Sequence, residues 1–309
     1  MSASDNFHHV RDLDVFELPW GFELQLPDFY VPFLGYVQVT KFMVLQVIAA
    51  TLVFFIFSGL SSRIRSGKPA TGRFWNFWEM LALFIRDEVV RPTIGDGHHD
   101  HDHDDEHVHE AEPEFDTEAH ATHAVAKSAH GGHFADRYLP FIWSCFFYVL
   151  ICNLLGAIPS MGSATGNINA TAVLACFSIG ATFVFGAEAM GVKGFFGNLV
   201  PDTGMQGPAG ALLGIAMFFI ELMGFVIKHC ILALRLFGNI MGGHTAIGVI
   251  LGFIAVAAKE GFGLWGVVTF GSVLGQVGIG ILELLVAVLQ AYVFSFLATI
   301  FIAGAIHKH

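Results

Sequence analysis

Charge is what this sequence has least of. Only 13% of its 309 residues are Asp, Glu, Lys or Arg, against about 25% in an ordinary soluble domain. That shortage excludes a soluble enzyme of average surface. The 26 acids against 15 bases argue against nucleic acid as a partner. Cysteines are few: Cys145, Cys152, Cys176 and Cys230 all sit in apolar runs without a CxxC pair. Buried free thiols are expected, with no disulfide framework. There is no GxxxxGK(S/T) loop, so the chain is expected to hydrolyse nothing itself and to need no cofactor.

What is abundant is apolar. Hydrophobic residues make up 54%, Phe occurs 32 times, and the mean hydropathy is +0.63. A length of 309 would allow about two soluble domains, but this composition points to an integral membrane protein. The net charge of −11 is local. Residues 96–134 hold eleven acids, one Lys and ten of the sixteen His, which is −10 of the −11.

A helix needs about 20 apolar residues to cross a bilayer. Uncharged runs occupy 42–60, 138–187 (broken by the turn-like 159–169), 203–220, 236–258, 261–282 and 284–306. They predict five or six membrane segments, the last two very long. The N-terminus is polar and acidic, so no signal peptide is expected. Six acids and one Arg lie in 1–40, and Arg63, Arg65, Lys68 and Arg73 follow the first run. The positive-inside rule therefore puts the N-terminus outside and both 61–136 and the tail at Lys308 inside.

Between Arg73 and Arg91, the residues Phe74, Phe77, Trp78, Leu81, Phe84 and Ile85 recur at helical spacing with charges between them. This mixture suits an amphipathic helix on the membrane surface. Residues 96–134 lack the apolar content to fold alone. Their His and carboxylates can bind Zn, Ni or Cu ions, with His98, His99, His101 and His103 as candidates. No regular ligand spacing is present, and a solvated loop is the preferred reading.

Five ionisable residues stand inside apolar runs: Glu221, Lys228, Arg235, His244 and Glu283, accompanied by the amides Asn239 and Gln290. A charge at the centre of a membrane helix costs at least about 2.5–3.5 kcal/mol on insertion scales, which makes each a functional hypothesis. At about 100° per residue, Glu221, Lys228 and Asn239 all fall within about 40° of Arg235. His229 is off this stripe by about 120°, and His244 points about 180° away. Glu283 and Gln290, seven apart, share one face. Arg keeps its proton, so Arg235 acts as a fixed charge that makes a nearby acid give up its own. His244 and Glu283 can titrate and relay a proton. The structural alternative for Arg235 is an ion pair with Glu221 or Glu283.

The run ALRLFGNIMGGH at 233–244 resembles subunit a of the F-type ATP synthase. LQAYVF at 289–294, NLLGAIP at 153–159 and GNINAT at 166–171 add to the resemblance. It covers about 30–95 weakly and 135–306 well, and its specificity lies in the combination. It implies that Arg235 is the essential stator charge, and it gives Asn239 and Gln290 their places. Many bacterial members carry Glu nine residues after the Arg and His seven before the Gln. The exchanged order here, His244 and Glu283, is similar to mitochondrial-type members and suggests a direct pair.

The resemblance implies an all-α integral membrane protein with five membrane helices plus one amphipathic surface helix, the last two membrane helices forming a long hairpin against a rotor ring. It implies a proton-translocating stator subunit of a rotary ATP synthase, not catalytic by itself. Protons would enter from outside past His244, Glu283 and Asn239 and leave inward near Glu221. The implied partners are the c-subunit rotor ring, peripheral-stalk b subunits and the lipid bilayer. The implied location is a bacterial plasma (inner) membrane in preference to the mitochondrial inner membrane. Three parts are expected: 1–95, the insertion 96–134, and a channel core 135–309. The rival reading is a divalent-metal transporter with a His-rich cytoplasmic loop.

Overall fold

The computed structural model describes residues 15–18, 22–31, 35–65, 72–95, 133–158, 162–198, 208–259 and 261–306. The candidates His98, His99, His101 and His103 and the tail residue Lys308 lie outside these residues.

Two small antiparallel hairpins come first: β1 (Val15–Leu18) with β2 (Phe22–Gln25), and β3 (Asp28–Val31) with β4 (Gly35–Gln38). The sequence reading assigned no element there. Every later element among the described residues is helical. Five helices are long and apolar enough to cross a membrane: α1 (Lys41–Arg65), α4 (Leu139–Gly156), α5 (Ile168–Asn198), α6 (Pro208–Ala257) and α7 (Phe262–Ile306).

Helix α1 buries Phe42, Leu45 and Ala49, spaced three and four apart, and exposes Val47, Phe54 and Phe55. A helix apolar all round with one packed stripe suits a bundle edge facing lipid. Helix α4 is the centre of the bundle. It packs on α1 and α7, and Ile142, Phe146, Phe147 and Cys152 are almost fully buried.

The amphipathic segment is α2 (Arg73–Phe84), a π-helical turn (Ile85–Val90) and α3 (Arg91–Ile94). Pro92 has no N–H, and its ring crowds the carbonyl of Glu88, which accounts for the wide turn before it. The apolar set splits. Trp78, Ala82, Ile85 and Val89 are buried, while Phe74, Phe77 and Phe84 are exposed. The Trp143 Nε1 of α4 donates to the Ala82 carbonyl at 2.9 Å and fixes the segment to the bundle.

Helix α6 runs 50 residues and α7 runs 45. At 1.5 Å per residue these are about 75 and 68 Å, over twice the ~30 Å hydrocarbon thickness. They pair as a hairpin, turning at Gly261 (φ 131°). Residues 208–220 and 236–257, read as parts of two separate runs, therefore belong to one helix, continuous through Glu221, Lys228 and Arg235.

Candidate functional site

The buried side of α6 near its middle is formed by Leu232, Leu236 and Ile240. Residues 229, 232, 236, 240 and 243 fall within about 40° of one direction. Around that seam, Arg235 is set back by about 100° on one flank and His244 by about 80° on the other. The two faces anticipated from helical phase are thus separated by the packed seam itself.

On the His flank, His244 Nε2 lies 3.8 Å from Glu283 Oε1, and Glu283 is 8% exposed. The contact is an ion pair only when the imidazole is protonated. Among the described residues neither atom has a hydrogen-bond partner. The approach depends on Gly243, because a Cβ there would stand 3.2 Å from Glu283 Oε1. One helical repeat further along α7, Gln290 is 1% exposed and its Oε1 accepts from Asn239 Nδ2 at 2.7 Å. A cavity of about 180 Å³ is lined by Asn153, Gly238, Asn239, Gly242, Gly243, Glu283 and Gln290 among others, and His244 reaches it only through its contact with Glu283. The structure therefore brings together Asn239, His244, Glu283 and Gln290.

Arg235 stays apart from them. Its side chain is exposed, and among the described residues no carboxylate pairs with it. Both carboxylates of the structural alternative have other neighbours. Glu221 Oε1 lies 3.9 Å from Lys228 Nζ, with both side chains about half exposed (52% and 56%), and Glu283 faces His244. Gly238 and Gly242, on the same side as Arg235, are exposed with open space around them. Small residues one turn apart let a neighbouring membrane helix approach closely.

Two residues the sequence reading left without a role stand in or near this site. Asn153 of α4 is 1% exposed, donates from Nδ2 to the Ala287 carbonyl at 3.3 Å, and accepts from Thr165 Oγ1 at 3.0 Å. The signal was available, since an amide in the otherwise apolar 139–156 run is a functional hypothesis on the same grounds as the charges. His229, set aside as off the stripe, is fully buried with its ring between Phe225 and Phe301, and its Nδ1 contacts the Phe225 carbonyl at 2.8 Å. Helical phase separates it from the polar stripe but cannot reveal what covers it.

One acid and one imidazole are too few to cage a divalent ion. Among the described residues no three His, Cys, Asp or Glu side chains gather into such a cage. The metal-transporter alternative finds no support.

Comparison with known proteins agrees with the geometry. The family model described as ATP synthase A chain matches residues 119–303. The chain is 32% identical over 308 residues to the ATP synthase subunit a of Chlorobium phaeobacteroides, covering 98% of this chain and 75% of that one. It is 32% identical to the ATP synthase subunit a of Chloroherpeton thalassium, covering 98% and 76%. It is 33% identical to ATP synthase subunit a 2 of Chlorobaculum tepidum, covering 96% and 71%. A five-helix membrane bundle with an acid–imidazole pair on one flank of its longest helix, matched along most of its length by these proteins, belongs to the ATP synthase subunit a family, the non-catalytic, multi-pass channel subunits through which protons drive ATP synthesis.

Proposed function

We propose that Arg235 is the fixed stator charge of this channel and that His244 and Glu283 are its titrating relay. The observation that carries this is the segregation of the two. The two groups that can exchange a proton lie 3.8 Å apart on one flank of α6, and the permanent cation stands exposed on the other flank. A proton arriving through the cavity passes from Glu283 or His244 to an acid of the moving partner. Arg235 then favours that acid's ionised form when it comes alongside. A permanent cation also repels a proton that would cross directly between the two faces. The bond from Asn239 to Gln290 holds the two helices in register beside the relay. Glu221, paired with Lys228, marks the inner exit.

The partner that turns past Arg235 is the ring of c subunits, which the exposed Gly238 and Gly242 admit closely; b subunits of the peripheral stalk complete the stator. The N-terminus faces outside and the C-terminus the cytoplasm, in a bacterial plasma membrane. The excess of Arg and Lys after α1 supports that orientation. Moving one charge across 100 mV is worth about 2.3 kcal/mol, so several protons pass for each ATP made.

Arg235→Lys tests the assignment. Lys keeps the charge but loses the planar, weakly hydrated fork. The expected result is an assembled complex whose proton-driven ATP synthesis is almost abolished in reconstituted vesicles. Normal synthesis would refute the stator role.

A further inference from the structure

The 180 Å³ cavity around Glu283 is not the only polar space in the bundle. A second cavity of about 550 Å³ opens between α1, α4 and the start of α5. Its lining includes Thr40, Gln46, Tyr148, Thr165, Asn167 and Asn169. It lies at the end of the bundle where α1 begins and α4 ends. By the charge bias after α1, that end faces outside.

One hydrogen bond links the linings of the two cavities. Thr165 lines the larger, and its Oγ1 donates at 3.0 Å to the Oδ1 of Asn153, which lines the smaller. A hydroxyl has one proton to donate. With that of Thr165 committed to Asn153, the contact from Ser163 Oγ at 2.9 Å runs toward Thr165. The hydrogen bonds therefore run in one direction, from Ser163 through Thr165 and Asn153 to the Ala287 carbonyl, one turn from Glu283. Ser163, Thr165 and Asn153 are each at most 3% exposed. The Ser163 hydroxyl is held against α4 by Gly156, where a Cβ would come within 2.6 Å of it. A short 3₁₀ turn, Ala164–Gly166, carries Thr165 into the contact.

We propose that Thr165 is a positioning residue at the junction between an outer vestibule and the Glu283 cavity, orienting the Asn153 amide so that protons from outside reach Glu283 through this link. The inference rests on the stator reading above and names the residue that connects its relay to the outer solution. Thr165 does not titrate. Its hydroxyl fixes which end of the Asn153 amide faces the vestibule.

The test uses the whole ATP synthase in sealed vesicles, reading proton-driven ATP synthesis and passive proton conduction, with Arg235→Lys in parallel. Thr165→Val keeps the shape and removes the hydroxyl. A lost hydrogen bond of about 1.4 kcal/mol predicts roughly tenfold slower conduction. Thr165→Ser restores the hydroxyl and is expected to recover most of the rate, which a packing role for the methyl group would not allow. Conduction in Thr165→Val equal to the parent, or equal impairment of Thr165→Ser and Thr165→Val, would each overturn the proposal. If Arg235→Lys is inactive while Thr165→Val is normal, only the Thr165 junction fails. If Arg235→Lys makes ATP normally, the stator reading fails instead.

Discussion

Gly243 has no side chain where Glu283 would meet one. A Cβ at 243 would stand 3.2 Å from Oε1 and 3.3 Å from Cδ of that carboxylate. Gly243→Ala must therefore push Glu283 away from His244, and an added methyl in a packed site costs about 1–3 kcal/mol. We expect the complex to assemble and proton-driven synthesis to fall by about tenfold, since 1.4 kcal/mol on a barrier is a factor of ten. An unchanged synthesis rate would mean that the separation of the pair does not matter. The pair itself is tested by exchange. If His244 and Glu283 share one proton route, His244→Glu combined with Glu283→His should recover more synthesis than the sum of the two single losses allows. Simple additivity in that cycle would show that they act separately.

At the scale of elements, two glycine positions separate backbone need from partner need. Helix α5 bends at Gly191, whose φ is 76°, so that Phe195 folds back onto Gly186. With ψ 158° this is a backbone region almost reserved for glycine, and a side chain there costs about 1–3 kcal/mol. Gly191→Ala should therefore lower the thermal unfolding midpoint of the detergent-solubilised complex, and an unaltered midpoint would show the bend to be unstrained. Gly238 is the opposite case. Its backbone is helical and a Cβ would meet nothing within 4 Å in this chain. Gly238→Leu should leave the chain folded and yet disrupt coupling by keeping the ring away from Arg235. Normal coupling in that variant would place the ring elsewhere.

The surface segment carries the groups whose titration bears on stability. Asp87 accepts from Arg86 at 2.8 and 3.1 Å, and this guanidinium holds its carboxyl below the ordinary 3.8. A depressed acid stabilises the fold fully above its unfolded value, and that contribution is lost as pH falls through the folded value. Between pH 7 and 5, Asp87→Asn should therefore unfold slightly more easily than the parent by a constant amount, and the difference should shrink as pH falls below about 4; a difference that instead grew on acidification would refute this.

For the molecule as a whole, the His-rich stretch is bracketed by a clamp. Arg91 reaches Asp136 through two nitrogens, at 3.1 and 2.9 Å, so the chain leaves and re-enters the bundle at almost one point. Arg137 pairs with Glu188 beside it and ties α4 to α5. The Arg91–Asp136 contact lies outside that stretch and is available to hold the two flanks together without it. Replacing 98–131 with a short Gly-Ser joint spares His133, whose ring accepts from the Ala135 N–H. ATP synthesis at neutral pH should stay within about twofold of the parent, because closing a loop of different length changes the free energy only slowly. Loss of synthesis in an assembled complex would make the stretch part of the mechanism.

The sequence by itself determined what is local. The cost of burying charge and the 3.6-residue period together marked the membrane spans, the amphipathic segment, the Arg face and the His face. The pairing of His244 with Glu283 came from the family resemblance, in which the acid and the imidazole exchange places. Contacts between residues distant in the chain became visible only in the folded bundle. Asn239 and Gln290 are 51 positions apart, and Asn153 meets Ala287 across 134. No periodicity within one helix encodes which neighbour it packs against. The continuity of α6 through three charged residues, the seam between Arg235 and His244, and the Thr165–Asn153 junction all arise from that packing. A buried polar group is satisfied by whatever the folded chain brings within hydrogen-bond reach, and that reach is set by the bundle and not by the run in which the group is found.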